Sequence, residues 1–321
     1  MKKIAVLADY LEPSHHALID STAARCGFAV DYYPDGRVPA ELAGTYEVVH
    51  GMPKPGDLKA FTGMKWFCGS FAGVDAYLDD ALYPSPEVML SNSSGAYGVT
   101  IAEHLIMVTL MLLRHADTYL HHADAHRWGP VMPMRSLIGS TITVLGTGDI
   151  GTEFARRAKA MGAKEIRGVR RTKKAADPAF DGVYTHAELD SLLPDTDILV
   201  MALPSTADTV GILSRDRIAL LPETAYVVNV GRGTAIDQPA LVEALNAGKL
   251  AGAALDVFEK EPIPAGDPVW DAKNLLITPH ISGQMSLGYT RDKNVALFCE
   301  DLENYAAGRP LKRYVDRKIG Y

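Results

Sequence analysis

The segment "TITVLGTGDIGTEFARRAKAMG" carries three glycines, Gly146, Gly148 and Gly151, in GxGxxG spacing between a β-branched run and an amphipathic stretch. In such a turn the first glycine permits a tight bend, the second lets the backbone approach a pyrophosphate, and the third lets helix and strand pack closely. Amide groups at the start of the following helix would hold the anion. The turn therefore predicts a dinucleotide site formed by Gly146, Thr147, Gly148, Asp149, Ile150 and Gly151.

A run of bases, "EIRGVRRTKK", comes roughly 20 residues later, where an acid commonly receives the ribose hydroxyls of NAD. Arg170, Arg171 and Thr172 occupy that place. A carboxylate would repel a 2'-phosphate, whereas an Arg guanidinium presents donors that suit phosphate oxygens. We therefore predict a preference for NADP(H), with NAD(H) possible. The alternative is a solvated basic surface, which is what we expect of Lys173 and Lys174.

The composition of the chain limits which other classes of protein it could belong to. The 321 residues have a formal net charge of -7, are 47% hydrophobic and 22% charged, and are typical of about two globular domains. An acidic chain disfavours general nucleic-acid binding, and three distant cysteines without CxxC spacing favour neither a disulfide framework nor a zinc site. The most apolar run, "IAEHLIMVTLMLLRHA", is shorter than the roughly 20 residues of a membrane span. We expect a cytoplasmic protein without a metal site and without nucleic-acid or membrane partners.

The elements that must position these residues follow from an alternation of short apolar runs with amphipathic segments, which predicts an α/β fold with doubly wound parallel sheets. The expected strands are "KIAVLA", "AVDYY", "EVVHG", "KWFCG" and "VML", then "TITVL", "IRGV", "DILVMAL", "AYVVNV", "GAALDV" and "NLLIT". A helix in "NVALFCEDLENYAAG" would return to the first domain. We expect a Rossmann dinucleotide-binding domain (98–287) inserted into a flavodoxin-like α/β substrate domain (1–97 and 288–321), with the crossing in "SNSSGAYG".

Ligands of doubly wound sheets bind at the carboxyl ends of the strands. In the second series four side chains suited to acid–base or anion chemistry follow such ends, namely Arg232, Asp256, Glu261 and His280. They are therefore expected on one rim of the sheet.

Several long motifs in order, "GTGDIG", "LPSTADT", "NVGRGTAID", "LDVFEKEP" and "TPHISG", resemble the D-isomer-specific 2-hydroxyacid dehydrogenases. The resemblance extends to "SFAGVD" and "GAYGVTIAEH" and covers nearly the whole chain. It implies an NAD(P)-dependent enzyme of the short form, without the regulatory C-terminal extension of some phosphoglycerate dehydrogenases.

The resemblance implies a role for each matching residue. His280 would exchange the proton with the substrate oxygen, Glu261 would orient its ring and favour imidazolium, and Arg232 would hold the substrate carboxylate and polarise its carbonyl. The loop "SFAGVD" would contact the substrate through Phe71, Ala72 and Gly73, together with Arg232 and His280. Further cofactor contacts are expected at Leu203, Pro204, Val230, Asp256, His280 and Gly283.

No motif fixes the substrate. Glyoxylate, hydroxypyruvate or another short 2-keto acid is the first expectation, and phosphoglycerate is the second. A formate dehydrogenase would have Gln in place of Glu261, so that residue argues against this branch. A nucleotide-sensing binding protein of the corepressor type, which uses the same fold, is the alternative from another functional class.

The segment around 115–138 is expected to form a homodimerisation arm that exposes Trp128, Met132 and Met134, because aromatic residues and Met are enriched at interfaces. The alternative is a loop that covers its own domain. His115, His121, His122 and His126 lack HExxH order and nearby Cys, so we expect exposed histidines and no metal. His15 and His16 receive the same interpretation.

Overall fold

The computed structural model describes residues 1–173 and 177–321, so Lys174 lies outside the described residues. The chain divides into two compact units, Met1–Tyr97 with Gln284–Tyr321 and Gly98–Gly283. The chain therefore re-enters the first unit at Gln284, whereas the sequence pattern placed this return at residue 288.

A strand of the described residues overlaps each run predicted as a strand, and β8 is an addition. β8 was not predicted because it has only four residues, none of them buried, and pairs only with β7. The strands are β1 (Lys2–Leu7), β2 (Phe28–Tyr32), β3 (Val48–Gly51), β4 (Trp66–Gly69), β5 (Met89–Ser91), β6 (Thr141–Leu145), β7 (Glu165–Arg170), β8 (Gly182–Thr185), β9 (Ile198–Met201), β10 (Tyr226–Asn229), β11 (Gly252–Leu255) and β12 (Leu275–Ile277).

The α-helices of the described residues are α1 (Pro13–Arg25), α2 (Ala40–Ala43), α3 (Gly98–Leu113), α4 (Ala116–Asp124), α5 (Asp149–Ala160), α6 (Leu189–Leu192), α7 (Arg215–Leu220), α8 (Gln238–Asn246) and α9 (Gly288–Ala306). The apolar run predicted as a buried helix forms α3, whose buried side chains include Ile101, Leu105 and Leu112. Among the described residues, no single helix is long and apolar enough to cross a membrane. The pair of α3 and α4 meets the length and composition together but is bent by 67°.

The first unit is built on a parallel five-stranded sheet in the order β2-β1-β3-β4-β5, which is the flavodoxin-like order. Apolar side chains of α9, including Val295, Phe298 and Leu302, are fully buried in one cluster with Ile4 and Trp66. Burial of these side chains explains why the C-terminal helix packs on the unit that the N-terminal strands form.

The second unit carries a parallel sheet in the order β12-β11-β10-β9-β6-β7-β8. This is the Rossmann order, extended by one strand beside β11. Its core is an apolar cluster that includes Leu145, Val169, Leu199 and Val227. Because β6 and β9 are neighbours whose connections lead to opposite sides, the carboxyl ends of these strands form the position where ligands of such sheets bind.

Candidate active site

The glycine turn between β6 and α5 has the geometry that a pyrophosphate requires. Gly146 has a φ of +102°, and a Cβ at this residue would lie 2.6 Å from Ala202 O. A Cβ at Gly151 would lie 1.9 Å from Gly146 O, so the helix and the turn approach too closely for any side chain there. A Cβ at Gly148 would meet nothing within 4 Å, and Gly148 caps the N-terminus of α5. The turn is thus tight on the protein side and open where an anion would approach.

The neighbouring residues of this turn face different surroundings. Thr147 packs against the end of β7, since a Cβ at Gly168 would lie 2.5 Å from the Thr147 methyl carbon. Asp149 directs its carboxylate to the first residue of α3, where Oδ2 accepts the Gly98 amide at 2.7 Å. A Cβ at Gly98 would lie 2.2 Å from Asp149 Oδ1. Any contact of Asp149 with a cofactor is therefore expected from its backbone, and Ile150 is half-buried.

The basic residues after β7 differ in their surroundings. Arg170 is the last residue of β7 and is half-buried. Its guanidinium forms no ion pair within the described part of the chain. Arg171 and Thr172 follow and are exposed, while Lys173 pairs with Glu188 at 3.5 Å on the surface. A phosphate at the end of β7 would therefore meet the Arg170 guanidinium without first breaking an internal salt bridge.

His186, which sequence reasoning did not single out, lies directly after β8, next to the end of β7. Burial lowers the pKa of His186, and the charges of Arg217 and Arg171 act in the same direction. A neutral His186 adds no charge to the basic cluster at neutral pH.

His280 and Glu261 form a hydrogen-bonded pair. Nδ1 of His280 lies 2.6 Å from Glu261 Oε2, and Oε1 of the same carboxylate accepts the Phe258 amide at 2.9 Å. The His280 side chain is 52% exposed. Because Glu261 holds Nδ1 and fixes the ring, proton exchange with a substrate would take place through Nε2.

The loop that carries His280 is held in a strained conformation. His280 has a φ of +54°, and such a backbone costs on the order of 1–3 kcal/mol for a residue other than glycine. The buried carboxylate of Asp256 stabilises it by accepting the Thr278 hydroxyl at 2.6 Å and the amides of Ile281 and Ser282 at 2.9 Å. The carboxylate of Asp256, a residue expected at the cofactor, thus accepts hydrogen bonds from residues that precede and follow His280.

Arg232 projects from a turn in which neither neighbour tolerates a side chain. A Cβ at Gly231 would lie 2.6 Å from Leu203 O, and one at Gly233 would lie 1.8 Å from the carbonyl carbon of Phe258. The guanidinium donates to Gly231 O at 2.7 Å. Since Phe258 also donates to Glu261, the turn of Arg232 and the His280–Glu261 pair are built on one packed segment.

The buried side chain of Asn229 was missed by sequence reasoning. Its Nδ2 donates to Arg232 O and its Oδ1 accepts the Gly231 amide, both at 2.9 Å. It therefore fixes both peptide groups that flank the Arg232 turn. The only available signal was an amide side chain at the end of a fully buried strand, in "NVGRG".

The remaining predicted cofactor residues lie at the same end of the sheet. Leu203 follows β9 and Val230 follows β10, and both are buried, whereas Pro204 is exposed. Gly283 is the last residue of the second unit.

The predicted substrate loop belongs to the first unit. The Phe71 ring stacks on Tyr77 at a centroid distance of 4.5 Å and lies over Gly69, where a Cβ would be 2.3 Å from the ring. Within the described residues, the amide groups of Phe71, Ala72 and Gly73 have no hydrogen-bond acceptor. Consecutive backbone amides without an acceptor are donors that suit an anion.

Outside the site, the structure gives the exposure of His15 and of the 115–138 segment. His15 was expected to be exposed, and this is wrong: it is 4% exposed, because its ring accepts the Glu12 amide and bonds Asp292 of α9 at 2.9 Å. In the 115–138 segment, Trp128 is fully exposed, and Met132 and Met134 are exposed as well. Among the described residues, no three His, Cys, Asp or Glu side chains come together as a metal site would require.

Comparison with known proteins shows which family this chain resembles. The family model for the D-isomer specific 2-hydroxyacid dehydrogenase NAD binding domain matches residues 106–282. The glyoxylate/hydroxypyruvate reductase A of Klebsiella pneumoniae (strain 342) is 32% identical over 257 residues, which cover 78% of this chain and 80% of the relative.

Solved structures are similar over almost the full length. A D-isomer specific 2-hydroxyacid dehydrogenase family protein from Aeromonas salmonicida subsp. salmonicida A449 gives a TM-score of 0.84 at 30% identity, covering 98% of this chain and 99% of that one. A D-isomer specific 2-hydroxyacid dehydrogenase from Xanthobacter autotrophicus Py2, in complex with NADPH and MES, gives 0.83 at 28% identity, covering 100% and 99%.

The pyrophosphate turn on a Rossmann sheet, with a paired histidine at the same end of that sheet, defines the class of NAD(P)-dependent α/β oxidoreductases. Within this class, the chain belongs to the D-isomer specific 2-hydroxyacid dehydrogenase family. It is therefore an NAD(P)-dependent dehydrogenase that acts on the CH–OH group of 2-hydroxy acids or on the corresponding keto acids.

Proposed function

We propose that this enzyme reduces glyoxylate, hydroxypyruvate or a similarly short 2-keto acid with NADPH. The observation that carries the proposal is the His280–Glu261 pair, in which the carboxylate holds Nδ1 of the ring at 2.6 Å. The name of the Klebsiella relative supports the substrate class, and the NADPH complex of the Xanthobacter structure supports the cofactor.

We propose the following roles for the chain's own groups. When bound, NADPH supplies the hydride for C2 of the keto acid. His280 gives a proton to the carbonyl oxygen, so that keto acid, NADPH and one proton yield hydroxy acid and NADP⁺. Glu261 keeps the ring oriented through its hydrogen bond to Nδ1. Arg232 orients the substrate carboxylate and polarises the carbonyl, while the amides of Phe71, Ala72 and Gly73 receive the carboxylate.

The cofactor would be held by the glycine turn at its pyrophosphate and by the arginines at its 2'-phosphate. The open face of Gly148 and the N-terminus of α5 support the first assignment. The Arg170 guanidinium, without an internal salt bridge in the described residues, supports the second. Leu203, Pro204 and Val230 would line the cofactor along the ends of β9 and β10.

The proposal is tested by measuring NADPH consumption with a panel of short 2-keto acids and with phosphohydroxypyruvate. We expect turnover with glyoxylate or hydroxypyruvate. His280→Ala should lower kcat by roughly 10²- to 10⁴-fold, the usual contribution of a positioned general acid. NADPH binding, followed by cofactor fluorescence, should be retained.

The control is His16→Ala, which removes a ring of α1 that packs on Tyr32 of β2 and should leave kcat unchanged. Preference for phosphohydroxypyruvate would favour a phosphoglycerate dehydrogenase. NADPH binding without turnover of any keto acid would favour a nucleotide-sensing binding protein.

We further propose that two copies associate through the 115–138 segment. The exposed Trp128, Met132 and Met134 side chains support this, because isolated proteins seldom leave large apolar side chains clustered in water. Light scattering should give twice the monomer mass at micromolar concentration, and Trp128→Asp should shift the mass toward the monomer. A monomeric wild type contradicts the proposal. A cytoplasmic location without nucleic-acid or membrane partners remains our expectation, and cell fractionation tests it.

A further inference from the structure

The substrate loop is attached to the segment that follows β5 by an unbroken series of hydrogen bonds. Successive backbone carbonyls of the loop each accept a donor from residues 92–97. The bonds are Ser93 Oγ to Gly69 O at 2.9 Å, Tyr97 OH to Ser70 O at 2.6 Å, Ser93 N to Phe71 O at 2.9 Å and Asn92 Nδ2 to Ala72 O at 2.7 Å.

These bonds determine where the loop's amide groups point. A trans peptide is planar, so the N–H of each residue points away from the carbonyl of the residue before it. Fixing the carbonyls of Ser70, Phe71 and Ala72 therefore fixes the amides of Phe71, Ala72 and Gly73 in the opposite direction. These are the same amides that have no acceptor within the described residues.

We propose that Tyr97 and Asn92 are positioning residues that aim the loop's amides at the carboxylate of the substrate. The proposal rests on the proposed function, since it assumes that this loop receives a 2-keto acid. Neither side chain needs to touch the substrate, because each acts through the peptide group that it holds.

The donor side of this arrangement is itself rigid. Asn294 of α9, which is fully buried, donates to Ser93 Oγ at 2.5 Å and accepts the Tyr10 hydroxyl at 2.7 Å. Tyr10 also bonds Ser70 Oγ at 2.7 Å. Burial raises the pKa of the Tyr97 hydroxyl, so it remains protonated and able to donate across the working pH range.

Amides held in place bind a carboxylate more tightly than mobile amides, because the entropy of ordering the loop is lost on folding and not on binding. Loss of the Tyr97 hydroxyl removes one neutral hydrogen bond, whose net contribution corresponds to roughly 2- to 12-fold in an equilibrium constant. This loss should appear in recognition of the carboxylate and not in proton transfer, which the His280–Glu261 pair provides.

The test uses the full-length enzyme and compares Tyr97→Phe with Tyr305→Phe. Tyr305 is a matched control: it lies in the same unit, and its hydroxyl donates to the half-buried carboxylate of Glu47 at 2.8 Å. For each variant we would measure kcat and KM for the best keto acid and for its neutral amide, the Kd of oxamate, and the Kd of NADPH.

We expect Tyr97→Phe to raise the KM of the keto acid and the Kd of oxamate by about 2- to 12-fold. The KM of the amide and the Kd of NADPH should stay within about twofold, a shift too small to count as a lost hydrogen bond. Asn92→Ala, at a half-buried position, should act in the same direction, so the test does not depend on one variant folding. Tyr305→Phe should lower only the thermal midpoint.

Two results would overturn the inference. One is that Tyr97→Phe and Asn92→Ala both lower the thermal midpoint but leave the KM of the keto acid unchanged. The bonds would then stabilise the fold only. The other is an equal rise in KM for the keto acid and its amide, which means that the loop does not read the carboxylate. Absence of wild-type turnover with every 2-keto acid refutes the proposed function, and this inference with it.

Discussion

Exchanging Arg170 for Asp should convert the preference of this enzyme from NADPH toward NADH. Arg170 ends β7, at the position where an acid would bind ribose hydroxyls. Because its guanidinium forms no ion pair within the described part of the chain, the substitution breaks no internal salt bridge. The effect should therefore fall on the cofactor and leave the stability of the fold nearly unchanged.

The magnitude follows from the interaction that is lost. A hydrogen bond to a charged group contributes about 1.5–3 kcal/mol, and 1.4 kcal/mol is about tenfold in affinity. Arg170 is half-buried, so solvent screens the interaction only in part and the lower half of that range applies. We expect the KM of NADPH to rise at least about tenfold, while the KM of NADH is unchanged or falls because Asp accepts from the ribose hydroxyls.

The assay is initial-rate kinetics with each cofactor at low and high salt. In the wild type, salt should weaken NADPH binding more than NADH binding, since the additional interaction is ionic. Lys173→Asp is the matched control: it makes the same charge change three residues away, at a side chain that pairs with Glu188 on the surface. Equal effects of the two substitutions, or no effect of either, would show that the basic run is only a solvated surface.

Three further predictions concern the site. Glu261→Gln should lower reductase kcat by roughly 10²- to 10⁴-fold, because an amide no longer fixes the orientation of the His280 ring and the proton on Nδ1. An unchanged kcat with chemistry rate-limiting contradicts its role. Gly151→Ala should abolish cofactor binding and destabilise the fold by about 1–3 kcal/mol, since its Cβ would lie 1.9 Å from Gly146 O; NADPH titration and thermal unfolding check it. Asp149→Ala should lower the free energy of unfolding by about 1–3 kcal/mol, because the Gly98 amide loses its acceptor. The Kd of NADPH should stay nearly unchanged, and a Kd about tenfold weaker would show that this carboxylate contacts the cofactor.

The sequence contained enough to predict most of the strands and the residue types of the site. Long apolar runs such as "TITVL" must be buried on both faces, so their identity as central strands depends little on what surrounds them. β8 was not predicted, because an edge strand of four half-buried residues has no run of buried apolar side chains. The exposure of His15 was predicted wrongly because its surroundings include α9, whose Asp292 bonds the ring and lies 277 residues away in the chain.

The sequence by itself determined the cofactor turn and its chemistry, because Gly148 caps the start of the helix and Gly151 approaches Gly146 O, both within the same six residues. Only the tertiary structure decided how the polar side chains are shared between chemistry and support. Asp149 and Asp256 were both expected at the cofactor from the sequence, and the structure adds that their carboxylates hold Gly98 and the loop of His280. A carboxylate accepts whichever donors folding brings within about 3 Å, and those donors come from segments that no local pattern identifies.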